Sequence, residues 1–337
     1  MPDDLPLLRA VVMQPFIKAA REIGAPVEKI LHRVGLPEEL TTDTEIFWPE
    51  PLCWHFVEAV SRAEGIPDFG LVAGKTVGYP DLAEMIPSLT GCSNLYELLK
   101  RFCRVASLYS TNILYVLEEE ERIVRFAEKS SNLIAGAIQV ELFQVLGMIQ
   151  IVQLATGADW RPDDIYFTFK RQLIVENAVD LNPSRIYFSA PYPSIAIPRD
   201  LLSMPALSLD LFAGPDSDKP ENLKPMPSTF KEGMRDALIP YLGTENFTKN
   251  KAADILGISP RTLHRRLACE NVMYSDVLGQ ARLIKASKLL QQEDLKLMDI
   301  TLMLGYENAS SFTRAFRRWA GVSPREYRNL YAQADDQ

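Results

Sequence analysis

The 337-residue sequence has few of the side chains on which metal and thiol chemistry depends. It contains four cysteines and three histidines, and no two cysteines form a Cys-x-x-Cys pair. Because a zinc site needs several such ligands close together, the spacing predicts no metal site, and no other pattern indicates a cofactor. The cysteines are interpreted as reduced thiols in or near cores, at Cys53, Cys92, Cys103 and Cys269.

Motifs of the common catalytic classes are missing too. The sequence has no Gly-x-Ser-x-Gly elbow, no His-Glu-x-x-His pair and no dinucleotide-binding fingerprint. Residues 70–76 resemble a phosphate-binding loop but are one residue short, because Phe69 stands where the first glycine is required. Since the loop length fixes the ring of N–H groups around a phosphate, nucleotide binding is not expected here. We therefore expect no catalytic residues and no enzyme.

Long uninterrupted hydrophobic runs are also missing. The most apolar stretch, residues 137–158, is interrupted by polar side chains at Gln139, Glu141, Gln144, Gln150 and Gln153. That pattern indicates a largely buried helix and not a membrane span. The first residues, Met1-Pro2-Asp3-Asp4, are acidic where a secretory signal is basic. We expect a cytoplasmic protein with no membrane partner.

Charge is distributed unevenly along the chain. The net charge is −8, which taken alone argues against a nucleic-acid partner. Residues 247–331, however, contain 14 lysines and arginines against 8 aspartates and glutamates, so this part carries +6 and the remainder −14. A basic module attached to an acidic one predicts a phosphate-binding surface in the C-terminal part.

Residues 299–328 carry the start and stop residues of three short helices. Gly305 ends the first, Asn308 can cap the second, and Gly321 follows the second where a left-handed residue is favoured. The third opens with Ser323-Pro324-Arg325-Glu326, the pattern of a capping box with proline at the first helical position. An apolar stripe that must be buried recurs along the second helix, at Phe312, Phe316 and Trp319.

The same arrangement occurs 49 residues earlier. Residues 252–258 predict a short helix and turn, and Ser259-Pro260 opens the next helix. Leu263 and Leu267 lie one turn apart on its inner face and align with Phe312 and Phe316. This internal repeat predicts two helix-turn-helix units, and residues 276–291 predict a long helix that joins them.

Two such units joined by a long helix resemble the AraC/XylS family of bacterial transcription regulators. The resemblance rests on Leu304-Gly305-Tyr306, Ser311-Phe312, Arg314-Ala315-Phe316, Gly321, and Ser323-Pro324 followed by Tyr327-Arg328. It implies that two recognition helices enter successive major-groove segments on one face of double-stranded promoter DNA.

The outer faces of these two helices supply the candidates for DNA contact. Base readout is expected from Arg261, His264, Arg265, Ser310, Ser311 and Arg314. Phosphate contacts, which add affinity and salt dependence, are expected from Lys249, Arg266, Arg317 and Arg318. The alternative for each arginine is a solvated helix face, and for His264 an imidazole without a DNA partner.

Residues 1–212 predict an α+β domain, followed by a proline-rich linker over 213–228 and an all-α DNA-binding domain over 229–331. Within the first domain, helices are expected at 7–23, 26–35, 51–64, 95–108 and 137–158, a hairpin at 111–117 and 122–127, and strands at 165–169, 185–189 and 195–197. This layout resembles the arabinose-binding-like sensor domain of the same family, through Phe69-Gly70-Leu71, residues 88–95, Trp160-Arg161-Pro162 and Ile186-Tyr187-Phe188.

These resemblances imply a transcription regulator that binds an unknown small-molecule effector and forms a homodimer, with RNA polymerase as a further candidate partner. Aromatic candidates for the effector pocket are Trp48, Trp54, Phe102, Tyr109 and Phe143. Two other functions compete. One is an enzyme with a DNA-binding tail, such as a DNA alkyl-transfer protein, which needs an activated cysteine. The other is an architectural DNA-binding protein without an effector.

Overall fold

A computed structural model describes residues 5–37, 46–76, 89, 91–130, 138–206, 224–243, 247–292 and 294–332. Contacts divide the chain into two compact units, Pro6–Met226 and the described residues from Pro227 onward. Most of the linker predicted over 213–228 lies outside the described residues, which resume at Lys224.

The first unit is mixed α and β. Its elements in chain order are β1 (Leu7–Arg9), α1 (Gln14–Glu22), α2 (Val27–Val34), β2 (Phe47–Pro49), α3 (Glu50–Glu64), α4 (Phe69–Lys75), α5 (Leu95–Ala106), β3 (Tyr115–Glu119), β4 (Ile123–Glu128), α6 (Ile138–Thr156), β5 (Asp164–Tyr166), α7 (Leu173–Glu176), β6 (Arg185–Tyr187) and β7 (Ser194–Pro198). The predicted α+β fold of this part is confirmed.

The start of the chain differs from the expected helix over 7–23. Leu7–Arg9 form a strand that pairs antiparallel with Phe47–Pro49, and the α-helix begins only at Gln14. All three residues of the strand are buried, so a helix with one solvated face would expose side chains that the core requires. The strand and its partner make a small second sheet that the sequence reading did not predict.

The larger of the two sheets in this unit has five strands, in the order β3-β4-β7-β5-β6. Only β5 and β6 run parallel. The predicted hairpin is confirmed, although Glu118 and Glu119 belong to β3, so the acidic turn is shorter than expected. Phe126 of β4 and Ile195 of β7 are fully buried in the same core as helix α6.

Helix α6, Ile138–Thr156, is the one helix among the described residues that is long and apolar enough to cross a membrane. Inside this fold 78% of its apolar window is buried, so its composition is that of a core helix. Gln139 and Gln153 of this helix are buried as well and bond to neighbouring backbone. The amide of Gln139 donates to Pro67 O at 2.9 Å, and that of Gln153 donates to Ala158 O at 2.8 Å.

The second unit is helical throughout its described residues. Its helices are α8 (Phe230–Leu238), α9 (Lys249–Ile255), α10 (Pro260–Cys269), α11 (Tyr274–Leu290), α12 (Leu297–Met303), α13 (Ala309–Ala320) and α14 (Pro324–Ala332). The long connecting helix is α11, which packs against α8 on one side of the repeat and against α12, α13 and α14 on the other. This arrangement confirms the predicted all-α C-terminal part.

Candidate nucleic-acid interface and ligand cavity

The first helix-turn-helix consists of α9 and α10. Gly257 takes a φ of +65° in the turn, and the Ser259 hydroxyl caps α10 by accepting from the N–H of Thr262 at 3.0 Å. Leu263 and Leu267 are buried, as predicted. The cap and these two leucines fix the rotation of α10 and so determine which side chains face solvent.

The solvent side of α10 carries the first set of candidate base contacts. Arg261, His264 and Arg265 are all exposed, and together with Ala268 and Cys269 they line a shallow surface depression. The structure therefore brings the three residues together on one open face. The side chain of Cys269 is also exposed there, so the expectation that all four cysteines lie in or near cores was wrong for this one.

The second helix-turn-helix consists of α12 and α13. Asn308 caps α13 by accepting from the N–H of Ser311 at 2.9 Å, and Gly321 ends it with a φ of +78°. The predicted capping box of α14 is confirmed, because the N–H of Ser323 donates to the Glu326 carboxylate at 2.7 Å and the Ser323 hydroxyl accepts in return.

The inner face of α13 is held by aromatic side chains. Phe312 and Phe316 are fully buried, whereas Trp319, predicted to complete the stripe, is only half-buried. Trp319 lies over Gly279 of α11, with its indole nitrogen 2.8 Å from the place a Cβ of Gly279 would occupy. On the opposite side Ser310, Arg314, Arg317 and Arg318 are exposed, and Ser311 is half-buried at the cap.

Two candidate phosphate contacts lie partly inside the unit. Lys249 is half-buried at the start of α9. Arg266 is half-buried too, with its guanidinium carbon 5.1 Å from the centroid of the Phe230 ring on α8. A cation over an aromatic face stabilises the packing of α10 on α8, a role that the sequence reading missed. Arg328, which carries part of the family resemblance, donates to Leu290 O and Leu295 O at 3.1 and 2.8 Å.

A cavity in the first unit is the candidate ligand site. It contains about 590 Å³ of space free of atoms, including its mouth. Its lining is mainly apolar and comes from Leu8, Val12, Trp54, Ala106, Tyr109, Ser110, Ile113, Tyr115, Val140, Phe143 and Gln144. Three of the five aromatic pocket candidates, Trp54, Tyr109 and Phe143, thus lie in one cavity wall.

The other two pocket candidates lie elsewhere. Trp48 is 1% exposed on β2, directly opposite Leu8 in the small sheet, and belongs to the core there. Phe102 packs edge-on against Tyr115, with ring centroids 5.0 Å apart, and supports the wall from behind. Both are buried core residues that do not line this cavity. An aromatic stripe at helical or strand spacing does not distinguish a core residue from a cavity wall.

Two carboxylates are buried next to the cavity. Glu50 on α3 accepts from the Trp54 indole N–H at 2.9 Å and the Asn112 amide at 3.1 Å, with the Ser110 hydroxyl at 3.4 Å. Glu141 on α6 accepts from the backbone N–H and the hydroxyl of Thr168. Burial raises the pKa of both carboxyl groups, and these hydrogen bonds oppose the rise.

Two thiols of the first unit, those of Cys53 and Cys103, are unsuited to nucleophilic chemistry. Burial raises the pKa of Cys103 to about 12 and that of Cys53 well above its usual value. Because the thiolate is the reactive form, both groups are held in their inert state at neutral pH. Across the described residues no group of three or more His, Cys, Asp or Glu side chains could hold a metal ion.

Two capped helix-turn-helix units with arginine-bearing outer faces, preceded by an α+β domain with an open cavity, define a DNA-binding transcription regulator. Family comparison gives the same result. Residues 24–206 match the model described as the arabinose-binding domain of AraC transcription regulator, and residues 252–330 match a helix-turn-helix domain. A third, shorter match, to the bacterial regulatory protein Fis family, covers residues 235–268. The chain belongs to the AraC family of transcription regulators, and it is not an enzyme.

Individual relatives are distant over the full length. The HTH-type transcriptional regulator VirS of Mycobacterium tuberculosis is 25% identical over 329 residues, which is 96% of each chain. VqsM of Pseudomonas aeruginosa is 39% identical over 79 residues, 23% of this chain and 24% of that one. A crystal structure of the regulator CdpR from Pseudomonas aeruginosa is 19% identical with a TM-score of 0.36, covering 90% of this chain and 96% of that one.

Proposed function

We propose that this protein is a sequence-specific regulator whose DNA binding is controlled by a small molecule in the N-terminal cavity. In this proposal residues 1–212 sense the effector and dimerise in the cytoplasm, 213–228 link the domains, and 229–331 bind promoter DNA. The observation that carries it is the mainly apolar cavity with buried polar groups behind its wall, because such cavities are the usual form of small-molecule sites. RNA polymerase is a further proposed partner at the promoter.

DNA readout is assigned to the two exposed helix faces. Arg261, His264 and Arg265 on α10 and Ser310, Ser311 and Arg314 on α13 are proposed to read bases. Arginine is suited to this because its planar guanidinium donates two parallel hydrogen bonds to a guanine edge in the major groove. Lys249, Arg266, Arg317 and Arg318 are proposed to contact phosphates, with Arg266 acting also as a brace against Phe230.

The exposed guanidinium of Arg314 offers a direct test of base readout. Arg314→Ala is expected to weaken binding to the preferred site by about 1–3 kcal/mol and to relax sequence preference at one base pair. Binding to scrambled DNA should change far less, because no base contact is lost there. Competition binding over a library of single-base variants measures both effects.

Arg33→Ala provides the matched control, since Arg33 is an exposed arginine on α2 in the other unit. It removes the same charge and should leave the sequence preference intact. If Arg314→Ala weakened specific and scrambled DNA equally, Arg314 would be a phosphate contact instead.

The neighbouring exposed arginines should behave in the opposite way. Each of Arg317→Ala and Arg318→Ala is expected to weaken all DNA sequences alike and to reduce the slope of log affinity against log salt by about 0.9. The physical reason is that a phosphate contact releases condensed counterions and carries no base information. Titrations of specific and scrambled DNA at several salt concentrations measure the slope.

The function as a whole is tested by sequencing the genomic fragments that the purified full-length protein retains at near-physiological salt. We expect a few promoters that share a two-part site with half-sites about one helical turn apart. The neighbouring genes then suggest metabolites to add to the same experiment. Retention without sequence preference would favour an architectural role, and specific retention that no metabolite alters would favour an effector-independent regulator.

A further inference from the structure

We propose that the effector of this cavity, whose sensing role rests on the function proposed above, is an organic ammonium ion. Its apolar body would lie between the aromatic walls and its protonated amine would pair with the buried carboxylate of Glu128. Three features of the molecule favour this ligand class: an unsatisfied oxygen, the sign of the surrounding charge, and the chemistry of the walls.

The unsatisfied oxygen belongs to Glu128, the last residue of β4. This residue is 1% exposed, its Oε1 accepts from the Ser130 hydroxyl, and its buried Oε2 has no hydrogen-bond partner among the described residues. Glu128 lies directly opposite Tyr115 in the β3–β4 ladder, so the two side chains project from the same face of the sheet. Tyr115 lines the cavity, so the Glu128 carboxylate lies on the cavity side of the sheet, although Glu128 itself is not one of the lining residues.

The charge around Glu128 is negative. Burial raises its pKa to about 7, the Ser130 hydrogen bond opposes this, and the charges of Glu50 and Glu141 add to the rise. None of the ion pairs among the described residues includes any of these three carboxylates. An anionic effector would bring a fourth negative charge into a desolvated region, whereas a cation would neutralise one.

The cavity wall suits the same ligand class. It presents the rings of Trp54, Tyr109, Tyr115 and Phe143, and aromatic faces attract organic cations most strongly where water is excluded. A competing cation lies near this wall, since the Tyr109 ring centroid is 6.0 Å from the guanidinium carbon of the buried Arg9. Its neighbour Leu8 lines the cavity, and successive strand residues face opposite sides, so Arg9 faces away and donates to Leu108 O at 2.6 Å.

Three probes with the same aromatic body and different charge test the proposal on the full-length protein. They are phenethylammonium, phenethyl alcohol and hydrocinnamate, each titrated by calorimetry. We expect the ammonium to bind at least about tenfold more tightly than the alcohol, and the carboxylate to bind most weakly. The ammonium should also release protons, seen as heat that depends on the buffer. The released proton cannot be assigned to one residue, because the titrations of several neighbouring groups are coupled: Glu50, Glu128, Glu141 and Tyr115.

The variant Glu128→Gln keeps the shape of the side chain and removes its charge. We expect it to lose the preference for the ammonium while the affinity for the alcohol changes less than about twofold. The matched control is Glu121→Gln, which removes the same charge from the exposed turn of the hairpin and should leave all three affinities unchanged. If Glu128→Gln fails to fold, the order of the three affinities in the unaltered protein still tests the ligand class.

Two results would overturn the cationic class. The first is equal or tighter binding of the alcohol or the carboxylate, and the second is no binding of the ammonium at millimolar concentration. Neither result depends on DNA. If the ammonium does not bind but the protein still retains promoter fragments specifically, only the proposed ligand class fails. If the ammonium binds but the protein retains DNA without sequence preference, the proposed regulator function fails and the ligand class stands.

Discussion

Replacing Phe316 with alanine is expected to lower the free energy of unfolding of the second helix-turn-helix by about 3–5 kcal/mol. The Phe316 side chain is fully buried, and its ring meets those of Phe312 and Tyr327 edge-on, at centroid distances of 5.7 and 5.4 Å. Alanine removes both contacts and leaves a cavity in the cluster that also contains Leu290 and Leu304. Since a short helix is not stable without its buried face, α13 and the arginines it presents should be lost together.

Hydrogen exchange of the full-length protein measures this locally, because global unfolding of two units is not a single transition. In Phe316→Ala the amides of α13 and α14 should exchange at or near the rate of an unfolded chain, and DNA binding should fall. Arg317→Ala is the control on the same helix. Its side chain is exposed, so protection of the α13 amides should shift by less than about 0.5 kcal/mol. Unchanged protection in Phe316→Ala would mean that the ring is not part of the packing that holds α13.

The helical unit could be read from sequence because its determinants are local. Ser259, Asn308 and Ser323 each cap a helix through an N–H three residues away, and Gly321 ends one. The spacing of Leu263 and Leu267 then fixes the outer face without further information. Helical spacing does not predict, however, which neighbour the end of a long side chain contacts. Arg266 was placed outward, yet its guanidinium lies over Phe230 of another helix.

The first unit was harder to predict because its decisive contacts are distant in sequence. Leu7–Arg9 pair with Phe47–Pro49, and a run of apolar residues at the chain start fits a strand as well as a helix until the partner is known. Likewise Glu50, Glu128 and Glu141 come from three separate elements. Each resembles an ordinary charged residue in the sequence, and only the fold brings their negative charges into one field.

A further example is the glycine and lysine stretch of residues 70–76, whose length does not fit a phosphate loop. The structure makes it helix α4, packed along α6. Gly70 and Gly74 lie one turn apart on the side that faces α6, where a Cβ on Gly74 would lie 2.7 Å from Leu146 Cδ2. The two glycines therefore allow the close approach of α4 and α6. The conformational preference of a single residue does not reveal such a role.

Gly70→Ala is accordingly expected to cost about 3 kcal/mol or more of the stability of the first unit. A Cβ at this position would lie 1.9 Å from the carbonyl oxygen of Gln139 and 2.7 Å from its carbonyl carbon, both backbone atoms of α6. No side chain can rotate away, so one helix must move. The displacement would also weaken the bond from the N–H of Gly70 to Gln139 Oε1, which is 2.8 Å long.

Another glycine in the same pair of helices supplies a control for which the expected change in stability has the opposite sign. Gly147 lies within α6, and nothing is within 4 Å of the place its Cβ would occupy. Gly147→Ala should therefore stabilise the unit by about 0.5–1 kcal/mol, through the higher helix propensity of alanine alone. Urea unfolding followed by tryptophan fluorescence separates the two, since Trp48, Trp54 and Trp160 all belong to this unit. Similar urea midpoints for Gly70→Ala and Gly147→Ala would show that steric exclusion at Gly70 does not set the distance between α4 and α6. Other contacts would then have to hold α6, and the cavity wall to which it contributes, in place.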